Sequence, residues 1–144
     1  MKTNVLFLCT GNYYRSRFAE LLFNHLAAQR GAPWTADSRG LAIELGVNNV
    51  GAISPHTVAR LAALGVPLPA TMRFPQQVTD TDVQAATLTI ALDRAEHYPL
   101  MRERLPGWTD RIEYWNVADL HALTAAEALA QIEAAVKELL HSLA

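Results

Sequence analysis

The fold is decided by residues 5–16, which read Val5-Leu6-Phe7-Leu8-Cys9-Thr10-Gly11-Asn12-Tyr13-Tyr14-Arg15-Ser16. The first four residues form a continuous apolar run that meets a turn signal, which is typical of a buried strand. From Ser16 onward, apolar residues recur at helical spacing until Gly31 and Pro33, which predict the end of a helix. Residues 1–31 are therefore predicted to form a strand, a tight loop and a helix.

The same alternation of strand and helix continues along the chain. The further predicted elements are, in order, a strand at Trp34–Ser38, a helix at Pro55–Leu64, a strand at Leu88–Leu92, a helix capped by Asp93, a strand at Ile112–Trp115 and a helix that opens with the capping box Thr124–Glu127. This pattern predicts one α/β domain over residues 1–144, with a parallel sheet and helices on both faces. Gly40–Ser54 and Gly65–Thr79 are predicted to be surface loops near a site.

The composition is that of a globular domain without a broad cationic surface. The chain has 144 residues, of which 51% are apolar, and its formal net charge is −2. That length suits one domain, and that charge makes nucleic acid and acidic membranes poor partners, so neither is expected. The apolar run before Cys9 is too short for a signal peptide or a membrane span. We therefore expect a soluble, cytoplasmic protein, whose oligomeric state the sequence leaves open.

Cysteine and histidine usage argues against a metal or a cofactor. Cys9 is the only cysteine, which excludes an internal disulfide and a cysteine zinc site and indicates a reducing compartment. The five histidines show no metal-ligand spacing, and most of them are predicted to be solvent-exposed. No metal and no cofactor are expected.

The loop from Cys9 to Ser16 has the composition of an anion site, because it contains no carboxylate. Gly11 and Asn12 tolerate positive φ, so that successive backbone N–H groups can point inward. The helix N-terminus adds further donors and its dipole, and Arg15 can donate to two oxygens of one phosphate. These groups also favour a thiolate, the nucleophilic form of cysteine. A lone cysteine at a strand end is often a core thiol, but its companions at fixed offsets make chance an unlikely source of the pattern.

Residues 5–12, together with Arg15-Ser16 and Ala19-Glu20, strongly resemble the low-molecular-weight protein tyrosine phosphatases, whose scaffold is shared by thioredoxin-coupled arsenate reductases. The resemblance covers most of the chain, and its further segments are residues 37–40, 54–66, 78–80, 90–93 and 117–119. It implies a four-stranded parallel sheet flanked by helices, with a phosphate-binding loop after the first strand.

The resemblance also implies a role for individual residues. Cys9 would be the nucleophile, Arg15 the phosphate clamp and Asp119 the general acid. Ser16 would donate to the thiolate, and Asn12 and Ser38 would support the loop together with Ser16. The phosphate-binding residues would be Thr10, Gly11, Asn12, Tyr13, Tyr14, Arg15 and Ser16. From their residue type alone, Tyr13 and Tyr14 could equally line the pocket rim or be ordinary surface tyrosines.

The chain departs from the family pattern around the site. Asp119 is followed by Leu120-His121 instead of proline and an aromatic residue, Tyr14 occupies the place of a frequent second cysteine, Arg17 that of a common proline, and Arg73 or Phe74 that of a histidine that bonds to the loop asparagine. Because the surroundings of Asp119 are altered, the sequence does not decide whether the substrate is phosphotyrosine or another phosphomonoester.

These observations predict a cysteine-dependent phosphomonoester hydrolase. The resemblance implies a protein tyrosine phosphatase that forms a thiophosphate-enzyme intermediate and acts on a phosphorylated protein or a small aryl phosphate. Two alternatives stay open at this point. One is a non-catalytic binder of oxyanions or phosphopeptides, and the other is an arsenate reductase, for which Cys9 lacks the partner cysteines of the thioredoxin-coupled scheme.

Overall fold

The computed structural model describes residues 3–119 and 123–143. Within these residues the four strands are β1 (Asn4–Cys9), β2 (Thr35–Gly40), β3 (Leu88–Ala91) and β4 (Glu113–Tyr114). The α-helices of the same residues are α1 (Arg15–Gln29), α2 (Pro55–Ala63), α3 (Asp80–Ala85), α4 (Arg94–Arg104) and α5 (Ala125–Leu143), and short 3₁₀ helices lie at Ile43–Gly46 and Pro106–Trp108.

The strands form one parallel sheet in the order β2-β1-β3-β4. Cys9 pairs with Gly40 of β2, and Leu8 pairs with Ala91 of β3. Because the strands are parallel, the chain leaves β1, β2 and β3 at the same edge of the sheet, where ligands bind in open α/β folds. The predicted α/β fold with a four-stranded parallel sheet is confirmed.

Helices cover both faces of the sheet. Successive side chains of β1 point to opposite faces, and both sets are apolar and buried. Val5 and Phe7 are buried with residues of α1, α2 and α5, whereas Leu6 and Leu8 are buried with residues of α3 and α4. A strand that is buried on both faces reads as an unbroken apolar run, which is the pattern that residues 5–8 show. The central position of β1 therefore follows from its sequence.

The element bounds differ from the predicted ones at β2 and β4. β2 continues to Gly40 instead of ending at Ser38, because its ladder with β1 runs to the end of that strand. β4 is reduced to two residues, since it pairs only with the end of β3. Asp93 does occupy the N-cap position of α4, but its side chain makes no capping hydrogen bond to any described residue. The predicted cap is wrong in this respect.

No helix in residues 3–119 or 123–143 is long and apolar enough to span a membrane. The stretches predicted as loops near a site do border it. The first contains Leu45, Gly46 and Asn49, which line a cavity beside Cys9. The second contains Arg73, whose side chain bonds to the loop after β1.

Candidate active site

The loop between β1 and α1 turns sharply at Asn12, which has a positive φ of 51°. Asparagine is one of the few residues other than glycine that adopts this conformation readily. The prediction that Gly11 shares the positive φ is wrong, because Gly11 is not in that region. A Cβ at Gly11 would lie 3.4 Å from Nδ2 of Asn49, so a side chain there would point at the neighbouring loop.

The N-terminus of α1 presents uncapped donors to the loop. Tyr14 is its N-cap residue, no side chain of a described residue caps it, and no acidic residue lies in its first turn. The first N–H groups of a helix carry partial positive charge and have no partner within the helix. Local sequence therefore leaves this end of α1 open to an anion.

The thiol of Cys9 lies at the floor of this loop and is 3% exposed. Its Sγ is 2.9 Å from Oγ of Ser16, in the first turn of α1. The structure thus brings together the predicted nucleophile and the hydroxyl predicted to donate to it. A hydroxyl donor at this distance stabilises negative charge on sulfur.

The side chain of Asn12 ties the loop to the sheet from below. Its Nδ2 donates to Oγ of Ser16 and to Oγ of Ser38, both at 2.9 Å. Ser38 in turn donates to Oε1 of Glu20 at 2.5 Å. All three predicted support residues therefore belong to one buried network. Burial raises the pKa of Glu20 despite its hydrogen bond from Ser38.

Arg73 completes this network, in the place where the family often has a histidine. Its Nη1 donates to Oδ1 of Asn12 at 2.9 Å, and its Nη2 donates to the carbonyl of Ser38 at 2.7 Å. The alternative residue at this position, Phe74, is 67% exposed. Arg73 therefore helps to orient Asn12, whose Oδ1 also accepts the N–H of Gln76 at 3.2 Å.

Arg15 is 3% exposed, and two of its nitrogens are anchored by the protein. Nη1 donates to the carbonyl of Val117 at 2.9 Å, and Nη2 donates to Oε2 of Glu96 at 2.7 Å. The Oδ2 atom of Asp119 lies 3.8 Å from Nη2. Burial alone would lower the pKa of Arg15, but the acidic groups around it outweigh burial and raise that pKa above its ordinary value.

Sequence reasoning missed two residues of the site, Glu96 and His97. Oε2 of Glu96 accepts hydrogen bonds from Arg15 and from Oγ1 of Thr10, and lies 3.2 Å from Nε2 of His97. His97 is 0% exposed, unlike most of the histidines, and its Nδ1 accepts the N–H of Asp93 at 3.0 Å. No motif marks this pair, and only the adjacency of β1 and β3 brings it to Arg15.

An open cavity of about 340 Å³ lies above Cys9. Its described lining residues are Cys9, Thr10, Gly11, Tyr13, Tyr14, Arg15, Leu45, Gly46, Asn49, Ser54 and Asp119. Nine residues were predicted to be catalytic or phosphate-binding, and seven of them are in this lining. The other two, Asn12 and Ser16, are buried beside the loop and bond to each other. Leu120 and His121, which follow Asp119, lie outside the described residues.

Both loop tyrosines line the cavity. The hydroxyl of Tyr13 donates to the carbonyl of Val50 at 2.7 Å and so connects the loop to the segment after β2. Tyr14 is 7% exposed, and its hydroxyl has no hydrogen-bond partner among the described residues. Burial, reinforced by the nearby charge of Asp119, raises the pKa of Tyr14. Its phenol therefore stays protonated at neutral pH.

Comparison with known proteins identifies a matching family. Residues 4–144 match a family model described as low molecular weight phosphotyrosine protein phosphatase. No curated protein sequence matches the chain significantly. The family match covers the loop after β1, the supporting network and Asp119.

Solved structures share the fold over nearly the whole chain. YfkJ from Bacillus subtilis has 25% identity and a TM-score of 0.82, with 99% of this chain and 95% of that chain covered. A low molecular weight protein tyrosine phosphatase from T. tengcongensis has 21% identity and a TM-score of 0.80, over 98% and 99% of the two chains. YwlE, whose structure from Bacillus subtilis is among the matches, is described as an arginine phosphatase and has 20% identity and a TM-score of 0.79, over 98% of this chain and 95% of that chain.

Proposed function

The chain belongs to the low molecular weight phosphotyrosine protein phosphatase family and is a cysteine-dependent phosphatase, and we propose that Cys9 is its nucleophile and phosphotyrosine or a similar aryl phosphate its substrate. The observation that carries this proposal is the placement of the Cys9 thiol. It lies beneath an open cavity, 2.9 Å from the Ser16 hydroxyl and at the uncapped N-terminus of α1.

The first chemical step is an in-line attack of the Cys9 thiolate on phosphorus. The P–S bond forms as the P–O bond to the leaving group breaks. Backbone N–H groups of the loop and the free N–H groups of Arg15 hold the three remaining phosphoryl oxygens while charge redistributes. Asp119, at the mouth of the cavity with 40% of its side chain exposed, protonates the departing oxygen.

The second step hydrolyses the thiophosphate. The Asp119 carboxylate, now deprotonated, takes a proton from a water molecule that attacks phosphorus. The P–S bond breaks, phosphate leaves, and the Cys9 thiolate is restored with the Ser16 hydroxyl as its donor. No redox change occurs, and no group other than water is consumed.

Two features support an aryl leaving group. Tyr13 and Leu45 contribute aromatic and apolar surface to the cavity, which suits a flat ring better than a short aliphatic chain. Arsenate reduction by the thioredoxin-coupled scheme is not supported, because Cys9 has no second cysteine to receive the oxidation. A nucleophilic Cys9 must stay reduced, and this supports a location in a reducing compartment such as the cytoplasm.

The test combines turnover with oxyanion binding in two variants. Cys9→Ser is expected to abolish hydrolysis of aryl phosphates but to keep phosphate binding, because a serine hydroxyl stays protonated and nucleophilically weak in the same loop. Arg15→Ala is expected to lose both. Phosphate at one hundred times its dissociation constant should stabilise the wild-type protein by about 2.7 kcal/mol, measured as a shift in melting temperature.

The matched control is Arg102→Ala, which removes an exposed arginine of α4 and should change neither property. Substantial aryl phosphatase activity in Cys9→Ser would refute the covalent mechanism. The substrate panel compares phosphotyrosine, phosphoserine and phosphoarginine peptides, the last because of the likeness to YwlE. Preferential hydrolysis of phosphoserine or phosphoarginine would refute the aryl assignment alone.

A further inference from the structure

The first turn of α4 holds a carboxylate against the phosphate clamp. We propose that Glu96 is a positioning residue of this phosphatase, which fixes the Arg15 guanidinium before a phosphate binds and is itself fixed by Thr10 and His97. The inference rests on the proposed role of Arg15 as the phosphate clamp. Glu96 touches neither substrate nor reacting atoms in this account, and it acts through Arg15.

Arg15 is held at two corners of its guanidinium. Glu96 accepts from Nη2 at 2.7 Å, and the carbonyl of Val117 accepts from Nη1 at 2.9 Å. A guanidinium is planar and carries five N–H donors, so two anchored donors fix its plane and leave three for a ligand. The orientation of the Arg15 guanidinium is thus determined by the protein and not by the phosphate.

Glu96 is itself held in place by two neighbouring side chains, those of Thr10 and His97. Oγ1 of Thr10 donates to Oε2 of Glu96, and Nε2 of His97 lies 3.2 Å from the same oxygen. Nδ1 of His97 accepts the Asp93 N–H at 3.0 Å, which leaves the proton of a neutral ring on Nε2, facing Glu96. A chain of contacts therefore runs from the backbone of α4 to Arg15.

The charge state of Glu96 agrees with this arrangement. Burial alone would raise the pKa of Glu96, but hydrogen bonds from its neighbours and the charge of Arg15 outweigh burial and hold that pKa well below its ordinary value. The residue also lies in the first turn of α4, where the helix dipole favours a carboxylate. Glu96 is thus an anion throughout the working pH range.

The arrangement has a cost and a benefit for catalysis. A bound phosphate must share Arg15 with an existing anion, which weakens binding of the substrate. In return, the long arginine side chain is already ordered when the substrate arrives, so that its rotamer entropy is lost on folding and not in the catalytic cycle. Interactions that are prearranged for the transition state raise kcat more than they lower KM.

The decisive variants separate position from charge. Glu96→Gln keeps the length and an oxygen acceptor but removes the charge, whereas Glu96→Asp keeps the charge but is one methylene shorter. If position matters, Glu96→Asp should lower kcat for phenyl phosphate by roughly ten- to one-hundredfold, since misplacement by about 1 Å can cost 10² in rate. Glu96→Gln should stay within about tenfold of wild type, because the acceptor geometry is preserved.

A second readout is the affinity for two oxyanions, measured by calorimetry on the same variants. Vanadate bound to a thiolate resembles the trigonal-bipyramidal transition state of phosphoryl transfer, whereas inorganic phosphate resembles the bound substrate in its ground state. Glu96→Asp should weaken vanadate binding more than phosphate binding, because only vanadate binding depends on the exact orientation of the Arg15 guanidinium. Glu103→Ala, in the same helix with a largely exposed side chain, is the matched control and should leave both dissociation constants unchanged.

The outcomes distinguish this inference from the proposed function. If Arg15→Ala keeps its activity, the proposed clamp itself is wrong. If Arg15→Ala is inactive but Glu96→Asp keeps wild-type kcat and oxyanion affinities, only the positioning role of Glu96 is refuted. A Glu96→Gln variant that is less active than Glu96→Asp would also refute it, because charge and not position would then decide the rate.

Discussion

Asp119 is the residue whose role depends most on its surroundings. It lies at the mouth of the cavity, and its Oδ2 is 3.8 Å from Nη2 of Arg15. An aspartate ahead of a helix is more often a turn residue than an acid, and its successors here differ from the family pattern. The acid role is therefore a prediction that requires its own measurement.

Removal of Asp119 should affect substrates according to their leaving groups. In Asp119→Asn, phosphorylation of the enzyme by phenyl phosphate should slow by about 10²–10⁴, because phenolate needs a proton to depart. The activated nitrophenolate of p-nitrophenyl phosphate departs unprotonated and should be much less affected. The comparison uses single-turnover bursts, since slow dephosphorylation would otherwise mask the difference. Equal, small losses for both esters would reduce Asp119 to a structural residue.

The chemical role of a residue was predictable from the sequence where that residue belongs to a local motif. The offsets of Gly11, Asn12, Arg15 and Ser16 from Cys9 were sufficient to predict an anion site. Glu96 was not predictable in this way, because its contact with Arg15 spans 81 positions of the chain. Contacts of this kind depend on which strands are neighbours, and a local pattern does not contain that information.

At the scale of elements, two loops and the start of α1 form the site together. The segment after β2 contributes Leu45 and Asn49 to the cavity wall. The segment before α3 contributes Arg73, which donates to Asn12 in the network that supports the loop. The sequence predicted both segments as loops near a site, because they lack periodicity. Their individual contacts could not be predicted, since irregular segments follow no repeat from which side-chain direction can be inferred.

Arg73 joins the second loop to the catalytic loop, and its removal should affect both stability and activity. Arg73→Ala leaves Oδ1 of Asn12 with one fewer donor, and we expect a loss of about 1–3 kcal/mol in the free energy of unfolding, as for other partly unsatisfied buried groups. Activity should fall as well, because the amide of Asn12 positions the Ser16 hydroxyl. Urea denaturation and aryl phosphate turnover measure the two effects.

Arg73→Lys provides a graded comparison, because an ammonium cannot reach Asn12 and Ser38 with the geometry of a guanidinium. It should lie between wild type and Arg73→Ala in both measurements. Arg30→Ala, at the exposed end of α1, serves as the control. Wild-type stability and turnover in Arg73→Ala would show that Asn12 needs no support from the Arg73 side chain.

The whole molecule explains why an acidic chain binds an anion. The formal net charge is −2, so attraction of phosphate must come from local groups and not from the overall field. The parallel sheet concentrates those groups, because the chain leaves β1, β2 and β3 at one edge. The α/β class was predictable from alternating periods, and the number of strands from the family resemblance. The strand order β2-β1-β3-β4 is a property of tertiary packing and was not predicted.

The central claim is that phosphate passes through a covalent bond to Cys9, and rapid-quench mass spectrometry of the protein during turnover tests it most directly. With p-nitrophenyl phosphate in excess, one phosphoryl group per molecule should appear on the peptide that contains Cys9 within the burst phase. Its rate of formation should match the release of nitrophenolate. Turnover at the wild-type rate without a phosphorylated Cys9 peptide at any quench time would contradict the account.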